Sequence, residues 1–336
     1  MERASKDVVV LFPSRPGTSE IDASFQGEMR AAIGAGFKTA LVDEGELAFG
    51  GDVRLSHMPE AAAVAIYRGW LLRAPLYQRL SEQVETRGYP LLTSPSAYLN
   101  TYHLPEWYSA IEDTGLTPRS IWIPGMQFDV AEVAALVEAT FGASAVILKD
   151  YVKSRKHEWF EACFIPDARD TEAVERVIRR FLELQDIALV GGLVFREFWP
   201  THRIGSHPKS HAPLANEHRL FVLHGKIFFS APYWSEVEYG PSLPPEGLTA
   251  PVLSRGISPF FAVDVAERED GGWFVVELND GGSAGLPQAE LADDFYRALA
   301  GAMDEVNGGS NAAPVEPSLQ AMGGVSPTAP HQRDTP

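Results

Sequence analysis

The sequence predicts a small parallel α/β domain over residues 1–100, followed by an α+β region that extends to residue 304. Two patterns predict this division. Up to residue 100, short β-branched segments alternate with segments whose apolar residues recur at helical spacing, which is typical of a parallel α/β sheet. Beyond residue 200, strand-like segments follow each other across short turns, which is typical of antiparallel hairpins.

The first domain begins with an apolar, β-branched segment at residues 8–12, which predicts a buried strand. Phe25, Met29 and Ile33 are spaced four residues apart, so they share one face of a helix over residues 21–36. The other elements predicted in this domain are strands at 39–42, 63–67 and 90–93 and a helix at 77–86.

Residues 101–198 predict a second unit with the order strand, helix, strand, strand, helix, strand. The apolar stripe of its first helix begins at Val130 and ends at Phe141, and Asp170 supplies an N-cap for the second helix. A unit of this size indicates one sheet with both helices packed on the same face. Its predicted strands are 120–123, 145–149, 159–165 and 192–198.

Residues 199–304 predict a third unit that is mostly strand. His224 and Gly225 form a plausible hairpin turn between strands 217–223 and 226–232. A second strand pair, 259–265 and 272–278, precedes a helix at 288–303. Residues 305–336 are rich in Pro and Gly, so we expect a disordered tail that buries too little apolar surface to offset its ordering entropy.

The composition excludes several classes of protein. The chain has 336 residues, with 28 Lys and Arg against 45 Asp and Glu, and a net charge of −17. This acidity argues against binding to a nucleic-acid backbone. The single cysteine excludes an internal disulfide, and no apolar run approaches the roughly 18 residues that span a bilayer. We therefore expect a soluble, cytoplasmic protein that binds neither nucleic acid nor membrane.

Two common nucleotide-binding motifs are absent from the sequence. There is no GxxxxGK[ST], which argues against a P-loop NTPase, and the first strand leads into Pro13-Ser14-Arg15-Pro16-Gly17 rather than GxGxxG. The α/β pattern of the first domain therefore does not indicate a dinucleotide-binding Rossmann unit.

Three oxygen-bearing side chains form the most informative group. Glu277 and Asn279 are two residues apart on a predicted strand, so both point to one face, and Asp264 lies beside them if the two strands pair as a hairpin. Two carboxylates and an amide oxygen suit Mg²⁺. The alternative is an ordinary solvated sheet face, but the adjoining glycine-rich segment 280–285 favours a ligand site because it lets backbone amides approach a ligand.

Basic residues form two further groups. Lys149 ends an apolar strand, and Lys153, Arg155 and Lys156 follow in the next loop, which would attract a polyphosphate in an otherwise acidic chain. The alternative for this loop is a solvated turn. Elsewhere, Glu217 and Arg219 share one strand face, where the arginine can bind an oxyanion in two places or form an internal ion pair.

These groups, in this order, resemble the ATP-grasp superfamily, and most closely its clade named for one arginine and two lysines. The resemblance covers roughly residues 63–300 and includes Tyr67-Arg68-Gly69-Trp70. Its most specific motifs are Lys149-Asp150-Tyr151-Val152-Lys153-Ser154, Glu217-His218-Arg219 and Val276-Glu277-Leu278-Asn279-Asp280-Gly281.

The resemblance implies an ATP-grasp fold, in which two α+β lobes (101–198 and 199–304) clasp ATP behind the small α/β domain. By the same resemblance, Lys149 and Lys153 would contact the ATP phosphates, and Asp264, Glu277 and Asn279 would hold Mg²⁺. The implied catalytic residues are Arg219, Lys153 and Glu217. The segment that would border the adenine is Arg196, Glu197, Phe198 and Trp199.

The implied activity is a ligase that joins a carboxylate to an amine through an acyl phosphate, with small molecules or peptides as substrates. A kinase on the same fold and a non-catalytic nucleotide-binding module are the alternatives, and a monomer or homodimer is expected. The sequence departs from the superfamily at residues 154–158, where many members have a glycine-rich loop over the phosphates. We hypothesise that basic side chains replace backbone amides there.

The segment 199–218 contains four histidines, His202, His207, His211 and His218. Their spacing suits a metal, but no cysteine or carboxylate accompanies them, so a loop that faces the substrate is the favoured interpretation.

Overall fold

The first sheet is built on the apolar amino-terminal strand. The computed structural model describes residues 7–48, 51–60, 62–208 and 213–308. The strands are β1 (Val8–Pro13), β2 (Lys38–Asp43), β3 (Arg54–Ser56) and β4 (Val64–Tyr67), in the order β3-β2-β1-β4. Strand β1 pairs in parallel with both β2 and β4, which confirms the predicted parallel sheet, and β3 adds an antiparallel edge.

Helices α1 (Gln26–Gly34), α2 (Glu44–Ala48) and α3 (Ala74–Glu85) connect the strands of this sheet or follow its last strand. The strand predicted at residues 90–93 is wrong, because only a single bridge joins Leu91 to Ala65. Pro90 has no amide hydrogen to donate to a ladder, and the next helix begins at Pro95, where Ser94 accepts from the Ala97 amide.

The second sheet is antiparallel, with the order β5-β8-β6-β7. Helices α6 (Val130–Phe141) and α8 (Thr171–Gln185) pack together over it and share its core, as predicted. The predicted cap of α8 is confirmed, since the Asp170 carboxylate accepts from the Ala173 amide at 3.0 Å. The four strands are β5 (Ser120–Pro124), β6 (Val146–Asp150), β7 (Phe164–Ile165) and β8 (Gly192–Glu197).

The strand predicted at residues 159–165 is mostly wrong. A 3₁₀ turn over Lys156–Glu158 leads into the short helix α7 (Trp159–Ala162), and only β7 is extended. Ala162 and Cys163 are consecutive and both fully buried, whereas a strand with one solvated face would expose one of them.

The third sheet carries the residues expected to bind metal. It is antiparallel with the order β12-β11-β13-β14, and the predicted turn between its first two strands is confirmed, with φ of 46° at His224 and 77° at Gly225. The strands are β11 (Glu217–Leu223), β12 (Lys226–Pro232), β13 (Phe260–Glu267) and β14 (Trp273–Asp280). Before this sheet, β9 (Arg203–Ser206) and β10 (Pro213–Ala215) form a separate hairpin that the sequence does not predict.

Helices cover both faces of this third sheet. On one face, Phe221 and Phe260 pack with helix α10 (Ala292–Gly308) in a core shared with the first sheet. Since α10 continues to Gly308, the disordered tail predicted for residues 305–336 is wrong over 305–308, and residues 309–336 lie outside the described part. On the other face lie α5 (Leu104–Ile111) and the short α9 (Ala250–Leu253), and α4 (Pro95–Tyr102) contacts β14.

Helix α5 packs on the large-lobe sheet although the sequence assigns residues 101–198 to the small lobe. Its buried side chains include Trp107 and Tyr108, and both share a core with Leu220 and Val263. Within the described residues, no helix combines the length and the apolar character needed to cross a bilayer.

One arginine joins the first domain to the loop that follows β14. The Arg68 guanidinium is 2% exposed and donates to the carbonyls of Gly281, Gly282 and Ala284. It also pairs with both oxygens of Glu28. Because all these hydrogen bonds converge on one buried cation, the loop 281–284 is held against the end of β4.

We predict that Gly282→Ala destabilises the protein by about 1–3 kcal/mol, because the new methyl group has no space. A Cβ at Gly282 would lie 2.2 Å from the Tyr67 carbonyl oxygen and 3.0 Å from the Asp280 carboxylate. Thermal unfolding measures the effect, with Gly285→Ala as the control, since a Cβ there meets nothing within 4 Å. Equal melting temperatures for the two variants would contradict this packing.

Candidate functional site

A cleft of about 360 Å³ lies between the second and third sheets. One end is apolar, because large side chains of β6, β8, β14 and the segments beside them meet there. The other end is charged and contains Lys149, Lys156, Glu217 and Glu277. The apolar end is lined by Ile147, Trp159, Phe198, Trp199, Leu214, Phe274 and Val276. The cleft therefore suits a ligand with a flat apolar part and a polyanionic part.

The segment predicted to border the adenine lines this cleft, since Arg196, Glu197, Phe198 and Trp199 all contribute to its walls. Arg196 is buried and donates to Thr117 Oγ1, just before β5, and to the Val275 carbonyl of β14 in the large lobe, each at 2.9 Å. Burial lowers its pKa to about 10. Its Nη1 is a buried donor with no hydrogen-bond partner among the described residues.

The hairpin register brings the predicted metal-binding residues together. Strand β13 places Asp264 opposite Arg219 on one side and opposite Glu277 on the other, and Asn279 lies two residues further along the same face. The Asn279 Nδ2 is 3.1 Å from Asp264 Oδ2 and 3.5 Å from Glu277 Oε1. The prediction from strand alternation, that these side chains lie together on one face of the sheet, is therefore confirmed.

Arg219 and Asp264 form a buried bidentate pair. The arginine Nε donates to Oδ1 at 2.8 Å and Nη2 donates to Oδ2 at 2.7 Å, while Nη1 donates to the Gly285 carbonyl at 2.9 Å. The guanidinium lies 4.8 Å from the centre of the Tyr233 ring. Burial opposes its charge, but Asp264 outweighs burial, so the pKa of Arg219 is raised.

Glu277 lies between this pair and the small lobe. Its Oε2 is 3.5 Å from the Lys149 ammonium group, which joins β14 to β6 across the cleft. Desolvation alone would raise the pKa of Glu277, but Lys149, Lys156 and Arg219 outweigh it, so the pKa is lowered. Glu277 is therefore ionised at neutral pH and available to a cation.

The donor set fits Mg²⁺. Glu277 and Asp264 supply carboxylate oxygens, and the Asn279 amide reaches both, so a flip of the amide directs its oxygen to the same point. Each Asp264 oxygen keeps a lone pair beyond its bond to Arg219. Among the described residues, no group of three or more His, Cys, Asp and Glu side chains is arranged to hold a metal. The candidate site consists of two carboxylates and an amide.

The two lysines of the first motif point to different places. Lys149 lines the cleft, but Lys153 lines a second cavity beside it. Asp150 Oδ1 accepts from the Val152 and Lys153 amides and so fixes the turn after β6 in which Lys153 lies. A phosphate-binding role for Lys153 stays a prediction.

Lys156 occupies the position beside Lys149 that the sequence suggests for Lys153. The 3₁₀ turn at Lys156–Glu158 brings its ammonium group to within 5.8 Å of the Tyr233 ring centre and 5.7 Å of the Trp234 ring. Desolvation lowers its pKa, but Tyr233, Glu217, Glu277 and Asp264 raise it more, so Lys156 stays charged. The only signal in the sequence was the basic run itself, which does not say which cation faces the cleft.

Glu217 lies on the cleft face of β11, as predicted from alternation with Arg219. Burial raises its pKa to about 8; Lys156 and Arg219 oppose this rise, and Asp264 and Glu277 add to it. Glu217 therefore holds its proton to a higher pH than an ordinary carboxylic acid, and burial shifts the pKa of Asp264 in the same direction against the opposing effect of Arg219.

Two of the four histidines in segment 199–218 lie in different places. His207 lines the cleft with His157 of the small lobe, whose ring is 6.0 Å away, whereas His218 is buried on the other face of β11 beside Asn216. His211 lies outside the described residues. His207 and His218 therefore do not converge on one point, and His207 lies where a loop that faces the ligand is expected.

Comparison with known families identifies the domain that contains the cleft. Residues 140–299 match a family described as an ATP-grasp domain, family 3 of the clade named for one arginine and two lysines. This part of the chain is therefore similar to that clade of ATP-grasp domains. The match covers β6 to β14 and part of α10, and it includes every residue predicted for the site.

Solved structures show the same ATP-grasp fold over nearly the whole chain. The ATP-grasp ligase PsnB, complexed with a phosphomimetic variant of its minimal precursor, Mg and ADP, is 16% identical, with a TM-score of 0.55, and the match covers 90% of this chain and 99% of PsnB. The macrocyclase MdnC from Microcystis aeruginosa, bound to its precursor peptide MdnA, is 16% identical, with a TM-score of 0.54 and coverage of 89% and 99%.

D-alanyl-alanine synthetase A from Vibrio cholerae is 11% identical, with a TM-score of 0.54, and the match covers 90% of this chain and 98% of that enzyme. No protein in the curated set matches the sequence. At these identities the structural likeness establishes the ATP-grasp fold, including the α/β domain that precedes the matched family domain.

We predict that Glu217→Gln stabilises the ligand-free protein increasingly as pH rises. The folded protein holds a proton on Glu217 up to pH about 8, whereas the unfolded chain releases it near the usual value of 4.5. The wild type therefore loses stability between these values, and the loss is complete above about 8. The glutamine side chain of the variant does not titrate, so the variant does not lose this stability. Its melting temperature should therefore rise relative to wild type as the pH increases through this range.

The control is Glu246→Gln, which changes an exposed carboxylate. Its melting temperature should follow that of the wild type at every pH. A difference between Glu217→Gln and wild type that does not change with pH would contradict the raised pKa of Glu217.

Proposed function

We propose that the protein is an ATP- and Mg²⁺-dependent ligase that joins a carboxylate to an amine through an acyl phosphate. The observation that carries this proposal is the charged end of the cleft, where Lys149 and Lys156 face the Glu277, Asp264 and Asn279 group across the space between the lobes. This arrangement supplies cations for a polyphosphate and oxygen ligands for the metal that accompanies it.

The other end of the cleft supports adenine binding. Phe198, Trp199 and Phe274 line it, and Trp199 meets Phe274 edge to face with ring centres 5.4 Å apart. A purine buries its apolar faces between such side chains. The unpartnered Nη1 of Arg196 lies in the same wall and can donate to an acceptor of the bound nucleotide.

The residues at the charged end of the cleft have separate roles in phosphoryl transfer. Lys149 and Lys156 offset the charge of the ATP phosphates, and Asp264, Glu277 and Asn279 hold Mg²⁺, which supplies Lewis-acid stabilisation of the phosphoryl oxygens. The substrate carboxylate attacks the γ-phosphorus, and the bond from that phosphorus to the β,γ-bridging oxygen breaks. The products of this step are an acyl phosphate and ADP.

Arg219 suits the second step. The amine attacks the acyl carbon, the tetrahedral adduct releases orthophosphate, and the amine proton leaves to solvent. Three of the five N–H donors of Arg219 are occupied by Asp264 and Gly285, which fixes the plane of the guanidinium. The two remaining donors can bind the oxyanion of the adduct, where preorganised donors are most effective.

Similar proteins support this choice of reaction. PsnB is described as an ATP-grasp ligase and is complexed with a precursor, Mg and ADP, while MdnC is a macrocyclase bound to a precursor peptide. We propose the same class of reaction for this protein, in which a small molecule or a peptide supplies the carboxylate and the amine.

We predict that wild-type protein binds Mg-ADP and that Glu277→Gln weakens this binding at least about tenfold, because the amide removes one charge from the metal site. Calorimetric titration measures the dissociation constants. Glu269→Gln is the matched control, since it changes an exposed carboxylate in the turn of the same hairpin, and its affinity should equal that of wild type.

Screening of amine and carboxylate pairs then tests the reaction. A ligase releases orthophosphate only when both substrates are present, whereas ADP with a stable phosphorylated product would identify a kinase. Failure of folded wild type to bind Mg-ADP would overturn the ligase proposal.

A further inference from the structure

A second cavity of about 420 Å³ lies beside the ATP cleft, at the junction of the first domain and the small lobe. Leu71 and Arg73 of the first domain and Tyr102 of α4 form one side of it. The turn 152–158 forms the other side. None of the roles proposed so far for the ATP site uses this cavity.

The cavity is basic in a strongly acidic protein. Arg73, Lys153 and Arg155 line it, and the carboxylates that line it are Asp150 and Glu158. Asp150 is 1% exposed, and its two oxygens accept four hydrogen bonds, from the Val152, Lys153 and Val190 amides and from Gln185 Nε2. Because Asp150 is satisfied by the protein itself, three cations face one available carboxylate.

Two of these cations have N–H donors without a hydrogen-bond partner among the described residues. The Lys153 side chain is exposed and makes no hydrogen bond or ion pair within the described residues. The Arg155 Nε is buried and has no partner there either, although Nη2 of the same side chain donates to the Leu184 carbonyl. Buried donors without a partner are costly, so this N–H indicates an acceptor that the protein does not provide.

The cavity adjoins the charged end of the ATP cleft. A small space of about 20 Å³ lies between them and is lined by Lys149, Glu277 and Asn279 from the ATP site. The same space is lined by Leu71, Tyr102 and Val152, which also line the basic cavity. A molecule seated in the basic cavity therefore lies beside the small space that Lys149 and Glu277 line.

We propose that the basic cavity binds the second anionic group of the substrate, so that the protein acts on acids that carry two negative charges, such as dicarboxylates. This inference rests on the ligase function proposed above. One carboxylate lies at the Glu277 end and is phosphorylated, and the other is held by Lys153 and Arg155. Lys153 is thereby a residue that determines substrate specificity rather than a ligand of ATP.

The test compares two lysines three residues apart. In Lys153→Gln, the affinity for Mg-ADP stays within about twofold of wild type, whereas Lys156→Gln weakens it about tenfold, the loss expected for one charge-assisted contact. The second titration uses the α,ω-dicarboxylates from malonate to suberate in the presence of Mg-ADP, with the monocarboxylates of equal length as controls. We expect at least one dicarboxylate to bind about tenfold more tightly than its monocarboxylate, and this advantage to be lost in Lys153→Gln.

Two results would overturn the inference. One is a series in which no dicarboxylate binds more tightly than its monocarboxylate. The other is a Lys153→Gln variant that loses affinity for Mg-ADP and keeps any preference for dicarboxylates. Wild type that binds no Mg-ADP would instead overturn the ligase proposal, so the two failures are distinguishable. Since the Lys153 side chain is exposed and makes no bond to the described residues, the melting temperature of its variant should equal that of wild type.

Discussion

The buried pair of Arg219 and Asp264 constrains the rest of the site. Asp264 has no exposed surface, and a buried carboxylate without a partner is costly enough to unfold a marginal protein. The pair forms only in the observed register of β11 against β13, because a shift by one residue would turn Arg219 to the apolar face of the sheet. The separate register of β13 against β14 places Glu277 on the other side of Asp264, so the two strand pairings together bring the expected metal ligands to one face.

One face of the third sheet serves two purposes. Its charged half faces the ATP cleft, and its apolar half, with Phe221 and Phe260, packs on α10. Arg68 holds the loop after β14 from the side of the first domain, and Arg219 holds the Gly285 carbonyl from the sheet. The first domain is therefore attached directly to the loop that follows β14.

Strand alternation and turn residues predicted much of the site. Glu217, Arg219, Glu277 and Asn279 lie on one face because side chains two residues apart on a strand must do so. The same reasoning wrongly predicted a strand over the apolar segment 159–165, because a short buried helix and a short buried strand have similar composition. Helix α5 lies in the range that the sequence assigns to the small lobe, yet it also packs on the third sheet, since an apolar helix face does not reveal which sheets cover it.

The sequence by itself determined the polar strand face, the order of most strands and helices and the ATP-grasp resemblance, because these depend on the short repeat of the backbone and on residues close together in the chain. Tertiary structure alone decided which lysine faces the ATP cleft. The turn that separates Lys153 from Lys156 is held by Asp150, whose other oxygen accepts from Gln185 and Val190, which are 35 and 40 residues further along the chain. Contacts over such distances leave no periodic pattern, so the direction of these side chains emerges only when the lobe is folded.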